Sequence, residues 1–145
     1  MIVHRSVRLF TAAAIAVLIG ASPAGAQTRA KADIACKPTE KSLQYDCTIR
    51  LLDARTGEPL SGVDIMVGAD MPSMPMAHNV RPVRATAGQA LGTYAAKIEL
   101  EMYGEWMLRL DLSGRLRDRV LKTLHFESNE VRDGRSGRSS PRPGH

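Results

Sequence analysis

The residues with the most distinctive chemistry lie in one short segment, Met71-Pro72-Ser73-Met74-Pro75-Met76-Ala77-His78. The segment carries three thioether side chains and one imidazole. Thioether sulfur prefers Cu(I) to hard cations, and imidazole binds copper in either oxidation state. The sequence therefore predicts a copper site with Met71, Met74, Met76 and His78 as candidate ligands.

The two prolines of this segment restrict where it can lie. Each proline lacks a backbone donor and favours an extended conformation in the residue before it, so we expect a sheet edge or a loop. As a strand, the segment would place Met74, Met76 and His78 on one side, with successive Cα atoms about 6.6 Å apart. As a polyproline helix, it would align Met71 with Met74. Met102, at the end of a later apolar run, is a further candidate ligand.

Two other interpretations of the methionines remain open. Methionine is a common filler of irregular cores, and a proline-rich loop could cover such a core while His78 stays solvated. The segment could also be an apolar edge that binds a peptide. Elsewhere, His125 alternates with the apolar Leu124 and Phe126, so we expect it on the surface of a strand.

The two cysteines, Cys36 and Cys47, are 11 positions apart. This spacing matches neither a C-x-x-C motif nor a common zinc pattern, so we expect a structural disulfide formed in an oxidising compartment. A short strand near Ile34 that pairs with a strand starting at Tyr45 would bring the two cysteines together.

The first residues of the chain have the features of a secretory signal peptide. Arg5 and Arg8 precede an apolar run at residues 9–19, and Ala24-Gly25-Ala26 forms a small-residue cleavage site. The run is about half the length of 20 residues that a membrane-spanning helix needs. We therefore predict a signal peptide at 1–26, a periplasmic or secreted mature protein, and no transmembrane segment after cleavage.

The charge distribution argues against a nucleic-acid partner. The net charge of the 145-residue chain is +5, but two of these charges lie in the leader and three in residues 132–145, so residues 27–131 balance to zero. Nucleic-acid binding needs a basic patch on the fold itself. We predict one domain at 27–131 and a disordered tail rich in Arg, Ser, Pro and Gly at 132–145. The chain contains no local signature of nucleophilic catalysis or phosphate binding, so we predict no enzyme activity.

Apolar and polar residues alternate along most of the predicted domain, which is typical of half-buried strands. Such runs begin near Tyr45, Val63, Tyr94, Trp106 and Val120. With the strand near Ile34 and an extended stretch around Met74, they give about seven short strands. This pattern predicts an all-β fold, an immunoglobulin-like antiparallel β-sandwich. We expect the runs from Tyr94 and Trp106 to form a hairpin, and residues 114–122 could instead form a short helix.

Four motifs resemble those of a known family. They are Gly57-Glu58-Pro59-Leu60-Ser61-Gly62-Val63, the segment Met71–His78, Gly92-Thr93-Tyr94, and Met102-Tyr103-Gly104-Glu105-Trp106. Their order and spacing are similar to those of YtkA-like domains, to which FixH-like domains are related. The resemblance covers about Tyr45 to Phe126.

This resemblance implies an immunoglobulin-like sandwich used in extracytoplasmic copper handling or cytochrome oxidase assembly. It also implies that Met102 and Trp106 lie across a pocket mouth from the methionine segment. The predicted cleavable leader differs from the membrane anchor of FixH-like proteins, and the cysteine pair and the basic tail lie outside the family pattern.

We therefore expect a periplasmic domain that binds or delivers Cu(I) through methionine thioethers and His78. Its partner would be a copper efflux or oxidase-assembly protein. The alternative is an exported β-sandwich without metal that docks on a membrane or secreted assembly.

Overall fold

A computed structural model of the chain describes residues 27–77 and 80–134. The predicted signal peptide, His78, and the predicted tail from residue 135 onward lie outside the described residues. The described part contains nine strands: β1 (Ala30–Pro38), β2 (Gln44–Asp53), β3 (Val63–Asp70), β4 (Val83–Arg84), β5 (Thr86–Ala87), β6 (Thr93–Glu99), β7 (Gly104–Gly114), β8 (Asp118–Phe126) and β9 (Val131–Asp133). None of these residues forms a helix that could span a membrane.

The strands form two antiparallel sheets that pack face to face. One sheet has the order β1-β2-β6-β5 and the other has the order β4-β3-β7-β8-β9. The predicted all-β antiparallel sandwich is therefore confirmed. The strand count exceeds the expected seven because β4, β5 and β9 are short strands that alternation cannot reveal.

The predicted pairing of the first two strands is confirmed. β1 and β2 form an antiparallel hairpin in which Cys36 lies directly opposite Cys47. The two side chains are buried and form the expected disulfide. The bond joins the edge strand β1 to its neighbour.

The predicted hairpin between the runs from Tyr94 and Trp106 is wrong. β6 pairs with β2 and β5, whereas β7 pairs with β3 and β8 in the other sheet. Residues 100–103 carry the chain from one sheet to the other, and Leu100, at the start of this connection, donates its amide to Leu43 O. Gly104, with φ of 133°, adopts a conformation at this crossing that few other residues tolerate.

The alternative of a helix at residues 114–122 is also wrong, because these residues form the end of the β7–β8 hairpin. The domain extends slightly beyond its predicted boundary at residue 131. Arg132 and Asp133 belong to β9, which pairs with the end of β8. Their pairing with β8 places them in the sheet although their composition resembles that of the tail.

At each end of the sandwich interior, a buried tyrosine bonds to the backbone of a neighbouring segment. At one end Tyr45 packs edge-on against Phe126, with ring centroids 4.8 Å apart, and donates its hydroxyl to Glu127 O. At the other end the Tyr94 hydroxyl donates to Leu60 O and accepts from the Val63 amide. Both tyrosines belong to the four-stranded sheet, and their partners lie at the ends of strands of the five-stranded sheet. These hydrogen bonds therefore fix the loops at both ends of the sandwich.

Candidate functional site

Four connections gather at one end of the sandwich, which we call the methionine end. Their described residues are 39–43, 71–77 with 80–82, 100–103 and 127–130. The strand register places them together, because Tyr45 pairs with both Pro38 and Ile98, and Gly104 pairs with Phe126. The predicted ligands Met71, Met74, Met76 and Met102 all belong to these loops.

The methionine segment forms two successive turns. Met74 donates its amide to Met71 O at 3.1 Å, and Ala77 donates to Met74 O at 3.2 Å. The expected loop is therefore confirmed, whereas the extended strand around Met74 is wrong. Pro72 and Pro75 each begin the inner part of a turn, where their fixed φ suits the conformation. Because the described residues 71–77 form turns and no strand, the expected placement of Met74 and Met76 on one face of a strand does not apply.

The methionines of this segment differ widely in exposure. Met71 is buried, with 5% of its surface accessible, whereas Met74 is 40% exposed and Met76 is fully exposed. Met76 also has a left-handed backbone, with φ of 68°. The core-filler interpretation therefore describes Met71 but not Met74 or Met76.

Met71 links the methionine segment to the loop that carries Met102. A Cβ atom added to Gly104 would lie 3.4 Å from the Met71 methyl group, so Met71 packs beside the start of β7, where the Met102 loop ends. Met102 lies two residues before Gly104 and is 39% exposed. Two different loops thus bring Met74 and Met102 to the same end with similar exposure.

The loop at residues 100–103 is held from two sides. The Trp106 indole N–H donates to Met102 O at 3.1 Å, and the hydroxyls of Tyr103 and Ser42 are 3.1 Å apart. Trp106 itself is completely buried. The resemblance placed Trp106 at a pocket mouth, but its burial means that it supports the Met102 loop from inside the core.

The methionine end is acidic. Its loops contain Glu40, Glu101, Glu127 and Glu130 against Lys41 and Arg81. Arg132 of β9 pairs with both Glu127 and Glu130. Next to it, a hydrogen bond from Lys41 is the main cause of the lowered pKa of Glu99. The loops keep a small excess of negative charge, which favours the approach of cations.

A second polar cluster lies on the edge of the five-stranded sheet, and sequence reasoning missed it. Glu105, His125, Arg132, Asp133 and Gly134 line a shallow cavity of about 570 Å³. The cluster could not be foreseen because it depends on the pairing of β9 with β8. His125 lies on β8 and is partly exposed, as expected.

The described residues contain no group of three or more His, Cys, Asp or Glu side chains that could hold a metal ion. Methionine thioethers are the ligands that the sequence predicts at the methionine end, together with His78, which lies outside the described residues.

Residues 26–111 match the family model described as YtkA-like. The match includes β1, which the resemblance noted in the sequence did not cover, and it ends within β7. It spans both the methionine segment and the Met102 loop. No curated protein and no solved structure matches the chain significantly.

Proposed function

Because the chain belongs to the YtkA-like family, we propose that it is an extracytoplasmic copper-binding domain that holds Cu(I) at the methionine end. The observation that carries this proposal is the delivery of partly exposed thioethers by two neighbouring loops, Met74 from one and Met102 from the other. Thioether sulfur is a soft ligand that selects Cu(I).

The four methionines have different roles in this proposal. Met74 and Met102 act as ligands, and His78 supplies a nitrogen ligand. Met76, fully exposed at the tip of the second turn, makes the first contact with a copper donor. Met71 is buried and fixes the base of the segment against Gly104. The acidic loops around them favour the approach of a cation.

An extracytoplasmic location agrees with two features of the chain. The Cys36–Cys47 disulfide is typical of oxidising compartments, and the YtkA-like domain fits the same setting. The predicted signal peptide at 1–26 would deliver the chain to the periplasm or the exterior. A copper efflux or oxidase-assembly protein would then be the partner that receives or supplies the ion.

Competition with a chromophoric Cu(I) chelator tests this proposal. Leucine has nearly the volume of methionine but cannot bind copper, so Met74→Leu and Met102→Leu should preserve the fold. We expect each variant to weaken Cu(I) binding at least about tenfold, because one of few soft ligands is lost. Met66→Leu is the matched control, since Met66 is 36% exposed but lies on β3.

The pH dependence of the same competition tests His78. Imidazole binds a metal only when it is neutral, so affinity should fall as the pH drops below about 6.5. Replacement of His78 by Asn should remove this dependence while leaving binding by the thioethers. Unchanged affinity after the combined replacement of Met74, Met102 and His78 would refute the copper proposal.

A second candidate function rests on the exposed apolar surface of the same end. Met74, Met76, Met102 and Tyr103 are all substantially exposed there, and flexible methionine surfaces suit partner binding. In this case the domain would dock on one exported protein without metal. Binding of that protein to the metal-free domain, unchanged by added Cu(I), would favour this candidate.

A further inference from the structure

The opposite end of the sandwich has a different surface, which we call the leucine end. It consists of residues 27–29, 54–62, 88–92 and 115–117. Leu60, Leu91 and Leu116 come from three of these segments and line one cavity of about 350 Å³, with Arg115 at its side. Leu91 is 75% exposed. Leu60 and Leu116 are half-buried against the core, so Leu91 is the side chain of this cluster that projects into solvent.

The loops that carry Leu60 and Leu91 are fixed by hydrogen bonds. Gly92 donates its amide to Ser61 Oγ at 2.8 Å, and Leu60 donates to Leu51 O at 2.9 Å. A Cβ atom on Gly92 would lie only 2.7 Å from Pro59 Cβ, so the two loops touch. The exposure of Leu91 is thus a property of a well-defined surface.

The leucine end is also basic. Its segments carry Arg29, Arg55, Arg115 and Arg117 against Glu58 alone. Within residues 27–77 and 80–134, Arg55, Arg115 and Arg117 form no ion pair, whereas Arg29 pairs with Asp118. The Arg115 guanidinium also donates to Ser61 O at 3.4 Å, and the carboxylate of Asp53 lies beside Arg55 and accepts its backbone amide. Guanidinium groups in this state are available to bind phosphate.

We propose that the leucine end docks on the surface of a lipid bilayer that carries anionic headgroups. An exposed leucine that enters the headgroup region, here Leu91, beside arginines that bind phosphate, is a combination used by interfacial membrane proteins. The chain enters the sandwich at this same end, at Thr28 and Arg29.

This docking orients the molecule. The methionine end lies at the far end of the strands and faces away from the bilayer, towards soluble partners. The proposal does not depend on copper binding, because the two ends share no residue.

Flotation with lipid vesicles tests the proposal. All described strands lie within residues 27–134, so the chain from Gln27 to His145 contains the whole fold. It should float with equimolar phosphatidylglycerol–phosphatidylcholine vesicles and not with phosphatidylcholine alone, and binding should fall as the salt concentration rises.

Two variants at the leucine end test which side chains bind the vesicles. Leu91→Ala should weaken binding about fivefold. The double variant Arg115→Glu/Arg117→Glu should weaken it at least about tenfold.

Two controls make the test specific. Lys41→Glu/Arg81→Glu causes the same change in net charge at the methionine end and should leave flotation unchanged. Replacement of Arg135, Arg138 and Arg142 by Gln removes most of the charge of the basic tail and should reduce binding less than the Arg115/Arg117 variant. Equal flotation with both vesicle types, loss only with the tail variant, or insensitivity to the Leu91 and Arg115/Arg117 variants would overturn the proposal.

Discussion

At the residue scale, Trp106 connects the core to the candidate copper site. Its ring is completely buried, and its indole N–H holds the backbone of Met102. A buried indole N–H usually needs a partner, and here the partner lies in the loop that carries a candidate ligand. The position of Met102 thus depends on a residue that cannot itself touch the ion.

Trp106→Phe should reveal this connection. The variant loses the hydrogen bond to Met102 O and leaves a small cavity, so we expect about 2 kcal/mol lower stability. Amide hydrogen exchange at residues 100–103 should also become faster, because the loop loses its inner support. Chemical denaturation followed by circular dichroism measures the first effect. Unchanged exchange in this loop would contradict the role given to Trp106.

At the element scale, alternation of apolar and polar residues predicted the main strands but not all their neighbours. Alternation reports which face of a strand is buried, and both Tyr94 and Trp106 are indeed buried. It does not report which strand lies alongside, so the sheet change between β6 and β7 was missed. The loop at Met71–Ala77 was predicted only as one of two alternatives, because the pattern of methionines and prolines fits an extended sheet edge equally well.

The pairing of β1 with β2 was predictable because a polar turn separates the two cysteines. Replacement of both Cys36 and Cys47 by Ala should lower the free energy of unfolding by about 3 kcal/mol, since the disulfide closes a short loop in the unfolded chain. Thermal or urea denaturation measures this loss. A double variant as stable as the unmodified protein would mean that strand pairing alone holds β1.

The β7–β8 pair carries an acid-sensitive ion-pair network on its outer face. Asp111 accepts from Arg119 at 2.6 Å and from Arg109 at 3.0 Å. These two hydrogen bonds hold the pKa of Asp111 below its ordinary value of 3.8, and the bond from Arg119 has the larger effect. A carboxyl group whose pKa is lower in the folded state stabilises the fold above its unfolded pKa, and this effect disappears as the pH falls through the folded pKa.

Asp111→Asn should therefore lower stability at neutral pH by about 0.5 kcal/mol, a small effect because the network is partly exposed. The difference from the unmodified protein should shrink as the pH falls below about 4. Urea denaturation over a range of pH values measures both effects. A difference that grows in acid would contradict this interpretation.

At the scale of the whole molecule, the fold places acidic and basic residues that are mixed along the sequence at opposite ends of the sandwich. Residues 27–131 have no net charge, but the topology sorts the charges into an acidic methionine end and a basic leucine end. The two ends are separated by the length of the strands, roughly 35 Å for the 11 residues of β7. This separation could not be predicted before the register was known, because each end is assembled from four distant segments.

The separation of the ends suits a domain that is held at a membrane surface while it exchanges an ion with other proteins. In that arrangement the exposed Met76 lies at the end farthest from the bilayer. The two proposals are independent, so either can fail without the other.

The most direct test of the central claim is an NMR titration with Cu(I) of the domain labelled with ¹³C at its methionine methyl groups. If the methionine end binds Cu(I), the methyl signals of Met74 and Met102 should shift and saturate together at one equivalent. Those of Met66 and Met107, which lie on β3 and β7, should not shift. Absence of any shift, or equal shifts of Met66 and Met74, would contradict the claim.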